Sequence, residues 1–221
     1  MRIGVYGGSF DPVHLGHLIA AECCREQAGL DRVLFVPAAV PPHKQDRHLA
    51  DAADRVAMLT LAIGGHDAFG VSTVELDRGG VSYTIDTLGD LATRHPQDTL
   101  VLLLGPDSLA QLPTWREPRA ILDGWEVVAV ERAGLDDVAA VVRDPALADL
   151  LGPDHAARVI ESRVRMPAIG IRASSLRAAV ADGGSIRFRT PRAVEAYITA
   201  HGLYREPSGS CDHRSRRDTH S

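Results

Sequence analysis

The chain predicts an α/β fold: a doubly wound, mostly parallel sheet with helices on both faces. Three observations carry that expectation. Short runs rich in Val, Leu and Ile alternate with segments of helical periodicity. The run over residues 100–104 is continuously apolar, as a strand covered on both faces requires. A length of 221 residues suffices for one substantial core and is short for two, so a single domain is expected over 1–206.

Taken in order, the first strand falls over 3–6, where an apolar run meets the pair Gly7-Gly8, and an amphipathic helix follows over 15–28. Strands are expected next over 32–36, 70–74, 99–104, 127–131 and 168–171. Helices are expected between them over 52–63, 84–94 and 137–142. Two helices, over 174–180 and 191–200, close the domain, the second opening on Pro191, whose fixed φ suits a first turn. From Pro207 onward apolar residues almost vanish, so 207–221 reads as a disordered tail.

Charge and cysteines narrow the setting. Twenty-four Lys and Arg against 29 Asp and Glu give a formal charge of -5, which argues against a protein that binds nucleic acid by charge alone. The adjacent Cys23 and Cys24 with the distant Cys211 make no paired framework, so a reducing cytoplasm is expected. No basic leader with a long apolar segment opens the chain, and no apolar stretch reaches a membrane-spanning length of about 18 residues.

In a sheet of this kind ligands lie beyond the carboxyl ends of the strands, where the strand order reverses, and the informative residues fall in those loops. Behind strand one runs Gly7-Gly8-Ser9-Phe10-Asp11-Pro12-Val13-His14-Leu15-Gly16-His17. Its glycines let the main chain approach a ligand, Pro12 stiffens the turn, and the helix behind it offers unpaired N–H groups to an anion. His14 and His17, three apart, present both rings to one side. A half-built metal site is the other reading of two such histidines, with Cys23 as a third ligand.

Behind strand two, Pro41-Pro42 stiffens the presentation of His43 and Lys44, a point charge for a phosphate. Behind strand four stands Gly105-Pro106-Asp107-Ser108, with Trp115 beyond. Asp107 is either a ribose acceptor or a helix cap, and Trp115 either a core residue or a stacking surface. Ser82-Tyr83-Thr84 opens a helix as a carboxylate dock or a plain cap. In Ser174-Ser175-Leu176-Arg177 a serine is expected to cap the helix, while Arg177 reaches a terminal phosphate or a surface partner.

The string Ser9-Phe10-Asp11-Pro12-Val13-His14-Leu15-Gly16-His17 resembles the (S/T)FDPxHxGH signature of a nucleotidyltransferase superfamily. With Ser-Tyr-Thr-x-Asp-Thr-Leu at 82–88, Leu-Pro-Thr-Trp at 112–115 and Gly-Leu-Tyr at 202–204, the chain resembles the bacterial nicotinate-nucleotide adenylyltransferases over about residues 1–206. That resemblance implies a Rossmann-like fold, ATP and nicotinate mononucleotide as substrates, and Mg2+ arriving with ATP rather than in a protein metal site. No nucleic-acid or membrane partner is implied, and a homo-oligomer is left open.

By the same resemblance, His14, His17, Lys44 and Arg177 are the catalytic residues, with His17 nearest the reacting phosphorus. ATP would be held by Gly8, Ser9, Phe10, His14, His17, Gly105, Asp107, Ser174 and Arg177. The mononucleotide would meet Ser9, Lys44, Thr84, Asp107, Trp115 and Arg116, with Trp115 stacked on the pyridine and the N–H groups of Thr84 and Arg116 on its carboxylate. The chain departs from the family where Arg172 replaces the first Ser of Ile-Ser-x-Thr and Ser174 replaces its Thr. Other expectations compatible with the loops are a pantetheine-phosphate adenylyltransferase, a nicotinamide-mononucleotide enzyme and a non-catalytic nucleotide-binding regulator.

Overall fold

The computed structural model describes residues 1–39, 49–135 and 137–205. Its frame is β1 (Arg2–Gly8), α1 (Leu15–Gln27), β2 (Arg32–Pro37), α2 (Ala52–Ile63), β3 (Phe69–Val71), α3 (Val74–Arg78), α4 (Thr84–Arg94) and β4 (Thr99–Leu104). There follow α5 (Pro106–Gln111), α6 (Pro118–Gly124), β5 (Glu126–Arg132), α7 (Val138–Val142), α8 (Pro145–Glu161), β6 (Val164–Met166), α9 (Ala173–Ala181) and α10 (Arg192–Ala200).

The strands form one sheet in the order β3-β2-β1-β4-β5-β6, every neighbouring pair parallel. The α/β, doubly wound expectation therefore holds. Alternation along β4 shows why its sequence is apolar throughout. Leu100, Leu102 and Leu104 enter one core with Leu88 of α4 and Leu147 of α8, while Val101 and Leu103 enter the opposite core with Ala21 of α1 and Met58 of α2. The strand order reverses between β1 and β4, so the loops that leave their carboxyl ends flank one crevice.

Two expectations need correction, and one helix was not expected at all. The last strand is Val164–Met166, not 168–171: Val130, Glu131 and Arg132 of β5 pair with it, and Pro167, which has no N–H for a ladder, ends it. Ile169 and Ile171 instead pack on the second core from an irregular segment. The third strand stops at Val71, and Val74 opens α3 with its side chain buried. The helix α8 was hidden in sequence by Gly152-Pro153, where Gly152 at φ 63, ψ 175 joins two helical halves across a kink. Asp144 caps the first half, accepting from the N–H groups of Ala146 and Leu147.

Candidate active site

The signature loop is built around a buried aromatic. Phe10 takes φ 47, a left-handed value costly for a side chain, and the residue is 2% exposed. Its ring meets Tyr6, Phe35 and His17 edge-on, with ring centres 5.6, 5.6 and 5.1 Å away. Gly8 makes room for it, since a Cβ there would lie 3.0 Å from the ring. The ring thus faces the core as a floor under His17 and leaves main chain alone to face a ligand.

His14 is the N-cap of α1 in extended backbone, and its N–H donates to Nδ1 of His17 at 3.2 Å. The two rings stack at 3.7 Å with a 21° tilt. A ring nitrogen that accepts a main-chain N–H carries no proton, so in neutral His17 the proton sits on Nε2, which is then a donor. Burial, with His14 adjacent, holds His17 well below its ordinary 6.5, and burial lowers His14 to about 4. Both rings are neutral donors at pH 7. Gly16 protects the arrangement: a Cβ there would sit 3.1 Å from Nδ1 and Cε1 of His14.

Arg55 of α2 locks this loop to the one behind β2. It is 2% exposed, and its Nη1 donates to the carbonyls of Ser9 at 3.1 Å and Ala38 at 2.8 Å, its Nε to that of Ala50 at 3.1 Å. The Ala39 N–H meets the Glu75 carboxylate at 3.3 Å, and Thr87 donates to the same carboxylate at 2.8 Å. Burial raises the pKa of Glu75 above its ordinary value. Lys44 and His43 lie outside the described residues.

The closing segment fastens the signature loop from the other side. Leu15 N–H donates to the Arg189 carbonyl at 3.0 Å, and the buried Thr190 hydroxyl donates to that of Val13 at 2.8 Å. Arg177 of α9 donates through Nη1 to the main-chain oxygen of Asp11 at 2.7 Å and stands 3.5 Å from its Oδ2. Asp11 is 1% exposed, so Arg177 joins the loop rather than a surface partner. Oδ1 of Asp11 accepts from the Tyr204 hydroxyl at 2.6 Å and from Ala50 N–H at 3.2 Å. Neither Ser174 nor Ser175 caps α9. Arg172 occupies the N-cap in extended backbone with no side-chain hydrogen bond, and Ser174 lies exposed one residue inside the helix.

Across the crevice, Gly105 is the N-cap of α5 and Pro106 its first residue, where a missing N–H breaks no helical bond. Asp107 follows in the first turn, exposed and not capping. Beyond a 3-10 turn over Leu112–Thr114, Trp115 is half-buried against the first core, between the two readings its sequence allowed. Arg116 reaches Asp86 at 3.3 Å and lies over the Tyr83 ring at 5.0 Å, thereby gripping α4 on both sides of Thr84, its first residue. Tyr83, not Ser82 or Thr84, holds the N-cap, and the buried Ser82 hydroxyl has no hydrogen-bond partner among the described residues.

The fold thus brings together His14 with His17, Arg177 with the signature loop, and Thr84 with Arg116, and sets Gly105 and Asp107 behind the strand next to β1. Arg55, Glu75 and Thr190 stand in no motif of the sequence, and Asp11 and Tyr204 stand in motifs that give neither a task. Arg55 carried a signal: it shares the apolar stripe of α2 with Met58 and Leu59. Among the described residues no three His, Cys, Asp or Glu side chains converge. Nor is any helix there long and apolar enough to cross a membrane.

Residues 5–179 match the family described as Cytidylyltransferase-like. A "Probable nicotinate-nucleotide adenylyltransferase" of Thermomicrobium roseum is 44% identical over 206 residues, covering 92% of each chain. A protein of the same description from Thermus thermophilus is 42% identical over 205 residues, 93% of this chain and 100% of its own. Among solved structures, "Plasmodium falciparum nicotinic acid mononucleotide adenylyltransferase complexed with NaAD" superposes with a TM-score of 0.70, covering 92% of this chain and 97% of that one. At 18% identity that likeness is one of fold.

Proposed function

This chain belongs to the cytidylyltransferase-like family, and from its nicotinate-nucleotide adenylyltransferase relatives we infer that it transfers the adenylyl group of ATP to nicotinate mononucleotide. The products are deamido-NAD and pyrophosphate, a step of NAD biosynthesis. The observation that carries the reading is the stacked imidazole pair at the amino end of α1, with Arg177 fastened to the same loop.

No protein nucleophile is needed. A phosphate oxygen of the mononucleotide attacks the α-phosphorus of ATP, the bond to the oxygen bridging to the β-phosphate breaks, and its electron pair leaves with pyrophosphate. What the protein supplies is alignment and compensation of charge. His17 donates from Nε2 to an α-phosphate oxygen, and His14 donates beside it. The main chain of Gly8, Ser9 and Phe10 and the amino end of α1 add further donors. Lys44 holds phosphate from the second loop, and Arg177 with Ser174 holds the far end of the triphosphate.

Gly105 and Asp107 hold the nucleotide ribose, Trp115 stacks on the pyridine, and the N–H groups of Thr84 and Arg116 donate to the carboxylate. Mg2+, coordinated by ATP and water, would neutralise charge on the phosphates. Free thiols at Cys23 and Cys24 support a cytoplasmic setting.

The decisive test is pyrophosphate release from ATP with each mononucleotide in turn. Backbone donors suit a carboxylate and oppose an amide NH2, so the nicotinate form is expected to react far faster. Equal rates would remove the carboxylate assignment, and no release with either would leave a nucleotide-binding regulator.

A further inference from the structure

We propose that Tyr204 is a positioning residue for the triphosphate, acting through Asp11 to keep Arg177 available to ATP. The inference rests on the assignment of Arg177 to the triphosphate given above. Three observations carry it. Asp11 is 1% exposed, and its two carboxylate oxygens are unequally served: Oδ1 takes the Tyr204 hydroxyl at 2.6 Å and the Ala50 N–H at 3.2 Å, while Oδ2 has no hydrogen-bond donor among the described residues. Arg177 Nη1 stands 3.5 Å from Oδ2, its short bond going to the Asp11 main-chain oxygen at 2.7 Å. Tyr204 itself holds φ 63, in the left-handed region that favours glycine, and from there delivers its hydroxyl 193 positions back along the chain.

The chemistry follows from what a buried carboxylate requires. An ionised oxygen out of water draws in any donor within reach. Arg55, the other cation beside it, has its Nη1 and Nε committed to three carbonyls. With the Tyr204 hydroxyl in place the carboxylate turns Oδ1 toward Tyr204 and Ala50, and Arg177 stays loosely paired. Without the hydroxyl the carboxylate closes on Arg177 as a bidentate pair and withdraws it from the phosphates.

The test is a double-variant cycle in the full chain, with KM for ATP, KM for nicotinate mononucleotide and kcat measured for Tyr204→Phe, Arg177→Ala and both together. Tyr204→Phe is expected to raise KM for ATP more than about tenfold, the scale of one hydrogen bond to a charged group, and to leave KM for the mononucleotide unchanged. In the Arg177→Ala background the same change should have no further effect. Full multiplication of the two effects, or an equal rise in both KM values, would overturn the coupling while leaving Arg177 on the triphosphate. An Arg177→Ala variant with unchanged KM for ATP would instead remove the underlying assignment, and the coupling with it.

Asp11→Asn gives an independent reading should the phenylalanine variant fail to fold. It keeps an oxygen for Tyr204 and Ala50 but loses the charge that competes for Arg177, so its KM for ATP should be no higher than that of the unaltered chain. A rise as large as that of Arg177→Ala would refute the competition.

Discussion

The ring of His17 caps the main-chain N–H of His14 through Nδ1 at 3.2 Å, while the two rings lie face to face 3.7 Å apart. One hydrogen bond therefore sets the helix start, the tautomer of His17 and the direction of its remaining proton together. Each consequence can be tested separately.

Replacing His17 by Ala removes the Nε2 donor that the proposed function sets on the reacting phosphate. Turnover should fall about a hundredfold or more, the scale of losing one donor to a developing charge. Steady-state kinetics on the purified, folded variant check this, and near-normal turnover would reassign the ring to capping alone.

Gly16→Ala separates activity from stability. The added methyl meets the His14 ring at 3.1 Å, and that ring is already pinned against His17. Alanine suits a helix better than glycine by up to about 1 kcal/mol, which offsets part of that crowding, so the melting point should change little. Turnover should drop about tenfold as the rings are displaced. A fall in both would point to simple disruption.

Acid should destabilise the fold through the same pair. His14 titrates at about 4 in the folded chain against an ordinary 6.5, so the unfolded chain takes up the proton first. The contribution of His14 is fully present above about pH 6.5 and is lost as the pH falls toward 4; it amounts to roughly 3 kcal/mol. His17 shifts in the same direction. Urea midpoints between about pH 7.5 and 4.5 should decline, and should decline less in His14→Asn.

Arg55→Met leaves the carbonyls of Ser9, Ala38 and Ala50 without their buried donor. A loss of about 3 kcal/mol in unfolding free energy is expected, since each orphaned acceptor bears its desolvation cost. Chemical denaturation measures it directly. An unchanged midpoint would mean that water replaces the guanidinium.

Trp115→Ala should weaken the mononucleotide and not ATP. Loss of one stacked ring is worth about 1–3 kcal/mol, so KM for the mononucleotide should rise roughly tenfold. A matching rise in KM for ATP would instead assign Trp115 to the packing of the first core.

Local chemistry was legible in the sequence and distant pairing was not. The turn behind β1 announced itself through Gly7-Gly8, Pro12 and the histidine spacing, all signals confined to eleven positions. The bond between Asp11 and Tyr204 spans 193 positions, and no periodicity encodes it. The last strand was misplaced for a related reason. Val164-Arg165-Met166 is too short to stand out from Ile169 and Ile171 nearby, and only pairing with β5 selects it. The capping errors at α4 and α9 share another cause: Tyr83 and Arg172 hold their positions by extended backbone alone, so the nearby hydroxyls advertised a task they do not perform.

The bonds that Arg189, Thr190 and Tyr204 make to the signature loop have a bearing on biosynthesis. During translation β1 and its turn emerge long before Tyr204, which fastens them and is polymerised 193 residues after Asp11. A ribosome-bound intermediate can therefore assemble much of the sheet while its nucleotide grip is still loose. Competence waits for residues 189–204 to dock on that loop.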